Sequence, residues 1–220
     1  EPEVEVVPGS MLAQKVDAWV TPTNARASMD GGLDAAIKGH FGAAIERRVQ
    51  AEIKRSYGGL LPVGHATCVP TGLVEPAFLI STPTMQASSE DISDTLNVAL
   101  ACAAAFQAVH MQNARAAGSI TSIALPGLGA NTGRVPVEIC ADLMWTGFDL
   151  FRRRAFEDFA AMRAALEEEL GDLGPTSTIG KPKAKAGATP KASAAASTPV
   201  PPAPPVTPSV KKEDVDFDDF

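Results

Sequence analysis

Short apolar runs alternate with longer stretches of helical spacing along residues 4–170 of the chain. Runs of strand character cover residues 4–7, 18–21, 65–69, 77–81 and 122–125. Apolar residues recur at helical spacing over residues 33–41, 44–57, 94–116, 136–150 and 151–170, with Ser93 as the predicted cap of the third helix. Strands that alternate with helices predict an α/β fold, with a mostly parallel sheet covered by helices on both faces.

The composition changes sharply at Gly174 and Pro175. Residues 175–209 consist almost entirely of Pro, Ala, Ser, Thr, Gly and Lys, and an acidic segment with two phenylalanines follows them. Such a stretch buries too little apolar surface to offset the entropy of ordering, so we expect it to be disordered. The predicted organisation is one domain over residues 1–174, a disordered Pro/Ala/Lys-rich linker over 175–210 and an acidic, aromatic tip over 211–220.

The charge and the scattered Cys and His residues narrow the classes of function. The net charge is −7, whereas proteins that coat nucleic acid non-specifically are usually basic. No apolar run approaches the roughly 20 residues that span a bilayer, and the acidic N-terminus lacks the layout of a signal peptide. Three cysteines and three histidines lie far apart, which indicates a reducing compartment and gives no metal-ligand spacing. We therefore expect a cytoplasmic protein without metal or cofactor, and without direct contact to membrane or nucleic acid.

Two glycine-rich turns, at residues 24–34 and 126–136, carry the candidate chemistry. Each follows a run of strand character and precedes a helical stretch. Glycines remove the side chains that would keep a ligand from the backbone, and the free amides at a helix start favour an anion. Two such turns predict a ligand with two phosphates. Asn24 and Asp34 in the first turn also have ordinary structural interpretations, as a turn former and as a residue that complements the helix dipole.

Both turns resemble the ligand loops of macro domains, which are α/β/α modules that bind ADP-ribose. Residues 16–24 (VDAWVTPTN) and 29–37 (MDGGLDAAI) are similar to the first loop, and residues 126–136 (PGLGANTGRVP) to the second phosphate loop of a microbial subgroup. Residues 61–66 (LPVGHA) and 81–85 (STPTM) fit the middle of that subgroup. The resemblance covers residues 3–150 and implies a three-layer α/β/α macro-type domain with a mixed, mostly parallel central sheet.

The resemblance implies a role for each loop residue. Asn24 would contact the distal ribose, Gly31 and Gly32 would let the diphosphate approach, and Asp34 stands where the hydrolytic subclass often keeps an aspartate beside that ribose. The second-loop residues implied to bind the ligand are Gly127, Gly129, Ala130, Asn131, Thr132 and Gly133.

The chain departs from the pattern of the family at two places, one in each of two turns. The family often has an aspartate that recognises adenine in the first strand-to-helix turn, where this chain has Ser10, so the weaker serine hydroxyl is the candidate for adenine recognition. In the second loop, Ala130 and Asn131 stand where Thr-Gly is usual. Two outcomes are open at this position: Asn131 adopts a left-handed backbone, which Asn tolerates better than other non-glycine residues, or the substitution narrows the loop.

The predicted function is binding of ADP-ribose or ADP-ribosyl groups, either alone or with hydrolysis of the ADP-ribosyl linkage. Cleavage of that bond develops oxocarbenium character at the distal ribose, and a nearby carboxylate orients water and stabilises the charge. Asp34 is the first candidate for this carboxylate, with Asn24 holding the ribose, and Asp30 is the second. The alternative is a non-catalytic scaffold that has lost its ligand and recruits partners through its tip; the two departures favour it.

The linker and tip are similar to the C-terminal tails of single-stranded-DNA-binding proteins, whose tips dock in basic pockets of partner proteins. The matching residues are Asp214, Asp216, Phe217, Asp218, Asp219 and Phe220. Because aromatic residues are good anchors and poor solubilisers, the tip is predicted to bind a basic protein partner, or the chain's own arginine cluster at residues 152–154. A charged end that only increases solubility is the alternative.

Overall fold

A four-stranded sheet forms the centre of the computed structural model, which describes residues 4–173 of the chain. The strands are β1 (Ala18–Asn24), β2 (Thr67–Pro70), β3 (Phe78–Met85) and β4 (Ile123–Ala124), in the order β2-β3-β1-β4. β1 runs parallel to both β3 and β4, whereas β2 is antiparallel to β3. The prediction of a mixed, mostly parallel sheet is confirmed.

Helices lie on both faces of the sheet. They are α1 (Gly32–Phe41), α2 (Ala43–Tyr57), α3 (Asn97–Arg115), α4 (Val137–Arg153) and α5 (Phe159–Leu170), and a short 3-10 helix spans Met11–Ala13. Side chains alternate along a strand, so Trp19 and Leu79 pack with α1 and α2, whereas Val20 and Ile80 pack with α3 and α5. With α4 lying against α3, the result is the predicted three-layer α/β/α arrangement.

The Asp17 carboxylate ties the start of β1 to the start of β4. Its Oδ2 accepts hydrogen bonds from the backbone N–H and the hydroxyl of Thr121, at 2.7 and 2.8 Å, and of Ser122, at 3.0 and 3.1 Å. Partial burial raises the pKa of Asp17, but these four donors outweigh it and leave the pKa below its ordinary value. The charged form is therefore the one that holds β4 beside β1, and the tie weakens as the carboxylate is protonated at low pH.

The strand predicted at residues 4–7 is wrong. These residues lie outside the sheet, and Val4, Val6 and Val7 are 58%, 92% and 46% exposed. The alternation of valines fits a strand, but in residues 4–173 no strand pairs with this segment. An extended segment without a neighbour gains no ladder hydrogen bonds, so the pattern alone does not make it a strand.

Two predicted helix boundaries are also wrong. α3 begins at Asn97, and Ser93 does not cap it, because the Ser93 hydroxyl donates to the Asp91 carboxylate at 2.7 Å. The helix predicted over residues 151–170 is interrupted: α4 continues to Arg153, residues 154–158 are not helical, and α5 starts after Asp158. The Asp158 carboxylate caps α5 by accepting from the Ala161 amide at 2.8 Å, which is a helix start that the apolar spacing could not show.

The predicted domain end at residue 174, the linker and the tip lie outside the described residues, and so do the contacts predicted for the tip. Within residues 4–173, no helix is both long enough and apolar enough to cross a bilayer.

Candidate functional site

Three loops leave the sheet at the carboxyl ends of three neighbouring parallel strands. β3, β1 and β4 stand side by side. They are followed by the β3–α3 loop (residues 86–96), the first glycine loop (residues 24–34) and the second glycine loop (residues 126–136) respectively. The carboxyl edge is where open α/β sheets bind ligands. The two predicted glycine turns therefore belong to the same edge of the sheet.

The β3–α3 loop connects to the first glycine loop through Asn24. The Asn24 amide Nδ2 donates to the Ser88 hydroxyl at 3.0 Å, and the Ala25 N–H donates to the carbonyl of Gln86 at 3.3 Å. None of the site residues predicted from the sequence lies in this loop. The available pattern was the polar run that starts at Ser88, close behind a buried strand, where ligand-binding groups are often placed.

The same loop connects to the second glycine loop through its other end. The Ile92 N–H donates to the Gly133 carbonyl at 3.1 Å. Asp91 and Arg134 form an exposed ion pair at 3.2 Å. The β3–α3 loop thus bridges both glycine loops and fixes their separation.

Asn24 shapes the first glycine loop from within. Its Oδ1 accepts from the N–H groups of Arg26 at 2.9 Å and Ser28 at 3.4 Å, while its Nδ2 is bound to Ser88. The side chain is buried at the end of β1. These contacts match the turn-former interpretation, and the contact between Asn24 and a ribose stays a prediction.

Gly31 and Gly32 form an open entry to α1. Gly32 has φ +54°, in the left-handed region that favours glycine, and a Cβ at either position would meet nothing within 4 Å. Gly31 caps α1 without any side-chain hydrogen bond. The first amides of α1 consequently have no side-chain acceptor, and they stand beside unobstructed space that suits an anion.

Asp34 is a buried carboxyl in the first turn of α1, and it is 7% exposed. The Thr21 hydroxyl donates to its Oδ1 at 2.5 Å. Burial raises the pKa of Asp34 to about 6, helped by the charges of Asp30 and Glu46. The hydroxyls of Thr21 and Thr23 lower this pKa in opposition to burial, and Thr21 is the one of the two whose hydroxyl makes a hydrogen bond of good geometry to Asp34. A carboxyl that titrates near neutral pH is suited to proton transfer.

Ser10 and Asp30 differ in how they relate to this edge. Asp30 is exposed next to the open glycines. Ser10 caps the short 3-10 helix, where its hydroxyl accepts from the Leu12 amide at 3.2 Å. The described contacts of Ser10 are local and do not join it to either glycine loop. Adenine recognition by Ser10 therefore stays a prediction without a supporting contact.

The second glycine loop has an exposed part and a buried part. Gly127, Asn131 and Thr132 are exposed and Ala130 is half-buried, whereas Gly129 and Gly133 are buried. A Cβ at Gly129 would lie 3.0 Å from Ile92 and Val98, and one at Gly133 would lie 2.7 Å from both Ile92 and the Gly129 carbonyl. Internal packing therefore accounts for these two glycines.

Asn131 does not adopt the left-handed backbone, the first of the two outcomes considered for it. Among the described residues of this loop, the positive φ values belong to Gly129, at +75°, and Arg134, at +59°. The Arg134 amide donates to the Asn131 carbonyl at 3.2 Å, so Asn131 opens the tight turn that Arg134 closes. Helix α4 starts directly afterwards with Pro136 as its N-cap and no side-chain cap, so its first amides also lack a side-chain acceptor.

Replacing Gly133 with alanine is expected to destabilise the fold by about 1–3 kcal/mol, because the added methyl group overlaps a carbonyl and Ile92. Gly127→Ala is the matched control, since a Cβ there would make an ordinary 3.7 Å contact with Ala130. Urea unfolding measures both variants. Equal stability losses in the two would show that the clash is relieved without strain.

The arginine cluster predicted as an internal docking site for the tip already has partners. Arg152 pairs with Asp149 at 2.8 Å, Arg153 pairs with Asp149 at 3.0 Å and also with Glu169, and Arg154 lies over the ring of Phe156. Asp149 and Glu169 offset part of the positive charge of Arg152 and Arg153, whereas the contact with Phe156 leaves the charge of Arg154 in place. In residues 4–173, no group of three or more His, Cys, Asp or Glu side chains is placed to hold a metal ion.

Comparisons with known proteins agree on one family. A family model described as Macro domain matches residues 20–144. The macro domain-containing protein in sno 5' region of Streptomyces nogalater is 28% identical over 184 residues, which cover 77% of this chain and 92% of that protein. The macrodomain of Mycobacterium tuberculosis DarG superposes with a TM-score of 0.55 at 21% identity, covering 65% of this chain and 88% of that one. The Oceanobacillus iheyensis macrodomain, in a variant structure with ADPR, gives a TM-score of 0.53 at 16% identity, with 74% and 91% covered.

Proposed function

Because this chain belongs to the macro domain family, we propose that it binds ADP-ribose or ADP-ribosyl groups between its two glycine loops. The observation that carries the proposal is a pair of helix starts, at α1 and α4, that have no side-chain caps and follow glycine loops on one edge of the sheet. Free amides at a helix start attract negative charge. A diphosphate supplies such charge to both helices at once.

The relatives support the choice of ligand. The Oceanobacillus iheyensis macrodomain has structures with ADP and, as a glycine variant, with ADPR. Its described variants change an asparagine, a glycine and an aspartate that are spaced seven and three residues apart. Asn24, Gly31 and Asp34 have the same spacing.

In the proposed complex the diphosphate lies over Gly31 and Gly32 and against the exposed part of the second glycine loop. The distal ribose lies at the end of β1, beside Asn24 and Asp34. The buried Asp34 carboxyl lies next to this end of the proposed complex, because it occupies the first turn of the helix that the two glycines open.

Hydrolysis of the ADP-ribosyl linkage is the second candidate function, and Asp34 favours it. With its pKa raised to about 6, this carboxyl is mostly ionised at pH 7 and still basic enough to take a proton from water. The hydrogen bond from Thr21 holds the carboxyl in place. A group with these properties orients a water molecule toward an oxocarbenium-like centre.

Calorimetric titration with ADP-ribose, AMP and adenosine tests the binding proposal. We expect one ADP-ribose per chain, with AMP at least about tenfold weaker because one phosphate cannot reach both helix starts. Equal affinity for adenosine and ADP-ribose, or no binding of ADP-ribose, would overturn the proposal. Release of ADP-ribose from a modified peptide, followed by mass spectrometry, tests hydrolysis separately.

A further inference from the structure

Both backbone polar groups of Leu128, inside the second glycine loop, are bound by sulfur atoms of α4. The Cys140 thiol donates to the Leu128 carbonyl at 3.1 Å. The Leu128 N–H donates to the Met144 thioether at 3.5 Å. The centre of the loop is therefore attached to α4 through side chains and not through a strand ladder.

The spacing of the two sulfur atoms, and the burial of Leu128 and Cys140, make the attachment specific. Cys140 and Met144 are four residues apart on α4, so they share one helix face. Leu128 is fully buried and Cys140 nearly so, and a buried backbone group without a partner is unfavourable. Burial raises the pKa of the Cys140 thiol, which keeps its proton at neutral pH and remains a donor.

We propose that Cys140 and Met144 are positioning residues that hold the second glycine loop in the shape that accepts a diphosphate, an inference that rests on the proposed function. Leu128 stands between Gly127 and Gly129, so the orientation of its two peptide groups sets the direction of the exposed loop residues that follow. Without the thiol, the Leu128 carbonyl loses its described partner and the peptide groups on either side turn. The exposed amides then no longer point at one place.

Three cysteine variants separate positioning from general core packing. Cys140→Ala removes the donor to the loop, and Cys140→Ser restores a donor. Cys102→Ala is the matched control, because the buried Cys102 thiol donates to the Met144 carbonyl at 3.2 Å and not to the loop. We expect the Kd for ADP-ribose to rise about tenfold in Cys140→Ala, as the loss of one buried hydrogen bond predicts. The serine variant should recover most of the affinity, and Cys102→Ala should match wild type.

Amide hydrogen exchange gives a readout that needs no ligand. The Leu128 amide should exchange faster in Met144→Leu, which removes the sulfur acceptor at nearly constant volume, and faster in Cys140→Ala, but not in Cys102→Ala. Unchanged affinity in Cys140→Ala, or equal losses in Cys102→Ala, would overturn the inference while ADP-ribose binding by wild type stands. If wild type does not bind ADP-ribose, the proposed function fails. Unchanged exchange of the Leu128 amide in both Met144→Leu and Cys140→Ala would then also refute the anchoring of the loop by α4.

Discussion

Gly32→Glu is expected to abolish ADP-ribose binding, with a loss of at least about 100-fold in affinity, and to leave the fold intact. A Cβ at Gly32 would meet no atom within 4 Å, so the first carbon of the glutamate side chain fits without a clash. Its carboxylate would itself occupy the anion site at the start of α1 and repel the diphosphate. The left-handed backbone adds a strain of roughly 1–2 kcal/mol, which reduces stability but does not block the anion site at the start of α1.

Two further variants separate the effect of a charge at the start of α1 from the effects of surface charge and backbone strain. Gly39→Glu places the same charge on the exposed surface of α1, where a Cβ also has free space, and should bind normally. Gly32→Asn tests the backbone strain without a charge, since Asn tolerates a positive φ best. Calorimetry measures binding and circular dichroism the fold. A folded Gly32→Glu protein with wild-type affinity would place the ligand elsewhere.

The layers and most of the elements could be predicted from the sequence because their causes are local. The apolar spacing of α1 and α2, and the alternation that sends Trp19 to one face of the sheet and Val20 to the other, are properties of short segments. The glycine loops were recognisable for the same reason. The same local rule wrongly predicted a strand at residues 4–7, because a strand also needs a neighbouring strand to pair with, and no local pattern shows one.

What the sequence did not show depends on contacts between distant segments. The hydrogen bond between Asn24 and Ser88 joins residues that are 64 positions apart in the chain, and it gives Asn24 a structural role that needs no ligand. The sequence of the loop alone predicts that Gly133 gives a ligand access to the backbone. In the structure, Gly133 is required because a Cβ there would clash with Ile92, which packs beneath the loop. Burial likewise raises the pKa of Asp34, against the opposing hydrogen bond from Thr21, whereas the sequence shows only that Asp34 lies at a helix start.

Asp34→Asn is expected to stabilise the protein at neutral pH. Burial raises the pKa of Asp34 from the ordinary aspartate value of 3.8 to about 6, so the carboxyl holds its proton more tightly in the folded state than in the unfolded chain. The resulting stabilisation is fully present below pH 3.8 and is lost as the pH rises through about 6. The asparagine keeps an oxygen for Thr21 without a buried charge. Its advantage over wild type should therefore reach at most roughly 3 kcal/mol at pH 8 and vanish near pH 4.

Melting temperatures of both proteins between pH 4 and pH 8 measure this difference. Asp30→Asn is the control, because Asp30 is exposed and its charge helps to raise the pKa of Asp34. That variant should shift the wild-type loss of stability to lower pH and not remove it. A constant difference between wild type and Asp34→Asn at every pH would show that the carboxyl does not titrate in this range.

The same Asp34→Asn variant is expected to lower hydrolytic turnover by at least about 100-fold, while the Kd for ADP-ribose changes by less than about threefold. The reason is that a water-orienting base acts mainly in the transition state, where its loss reduces the rate and not ground-state binding. Turnover of wild type should rise with pH through about 6, as Asp34 ionises. The rate of ADP-ribose release from a modified peptide gives the turnover, and calorimetry gives the Kd.

Full turnover in Asp34→Asn would move the chemistry to Asp30, the exposed carboxylate beside the same glycines. Loss of turnover in Asp30→Asn, with Asp34→Asn unaffected, would establish that assignment.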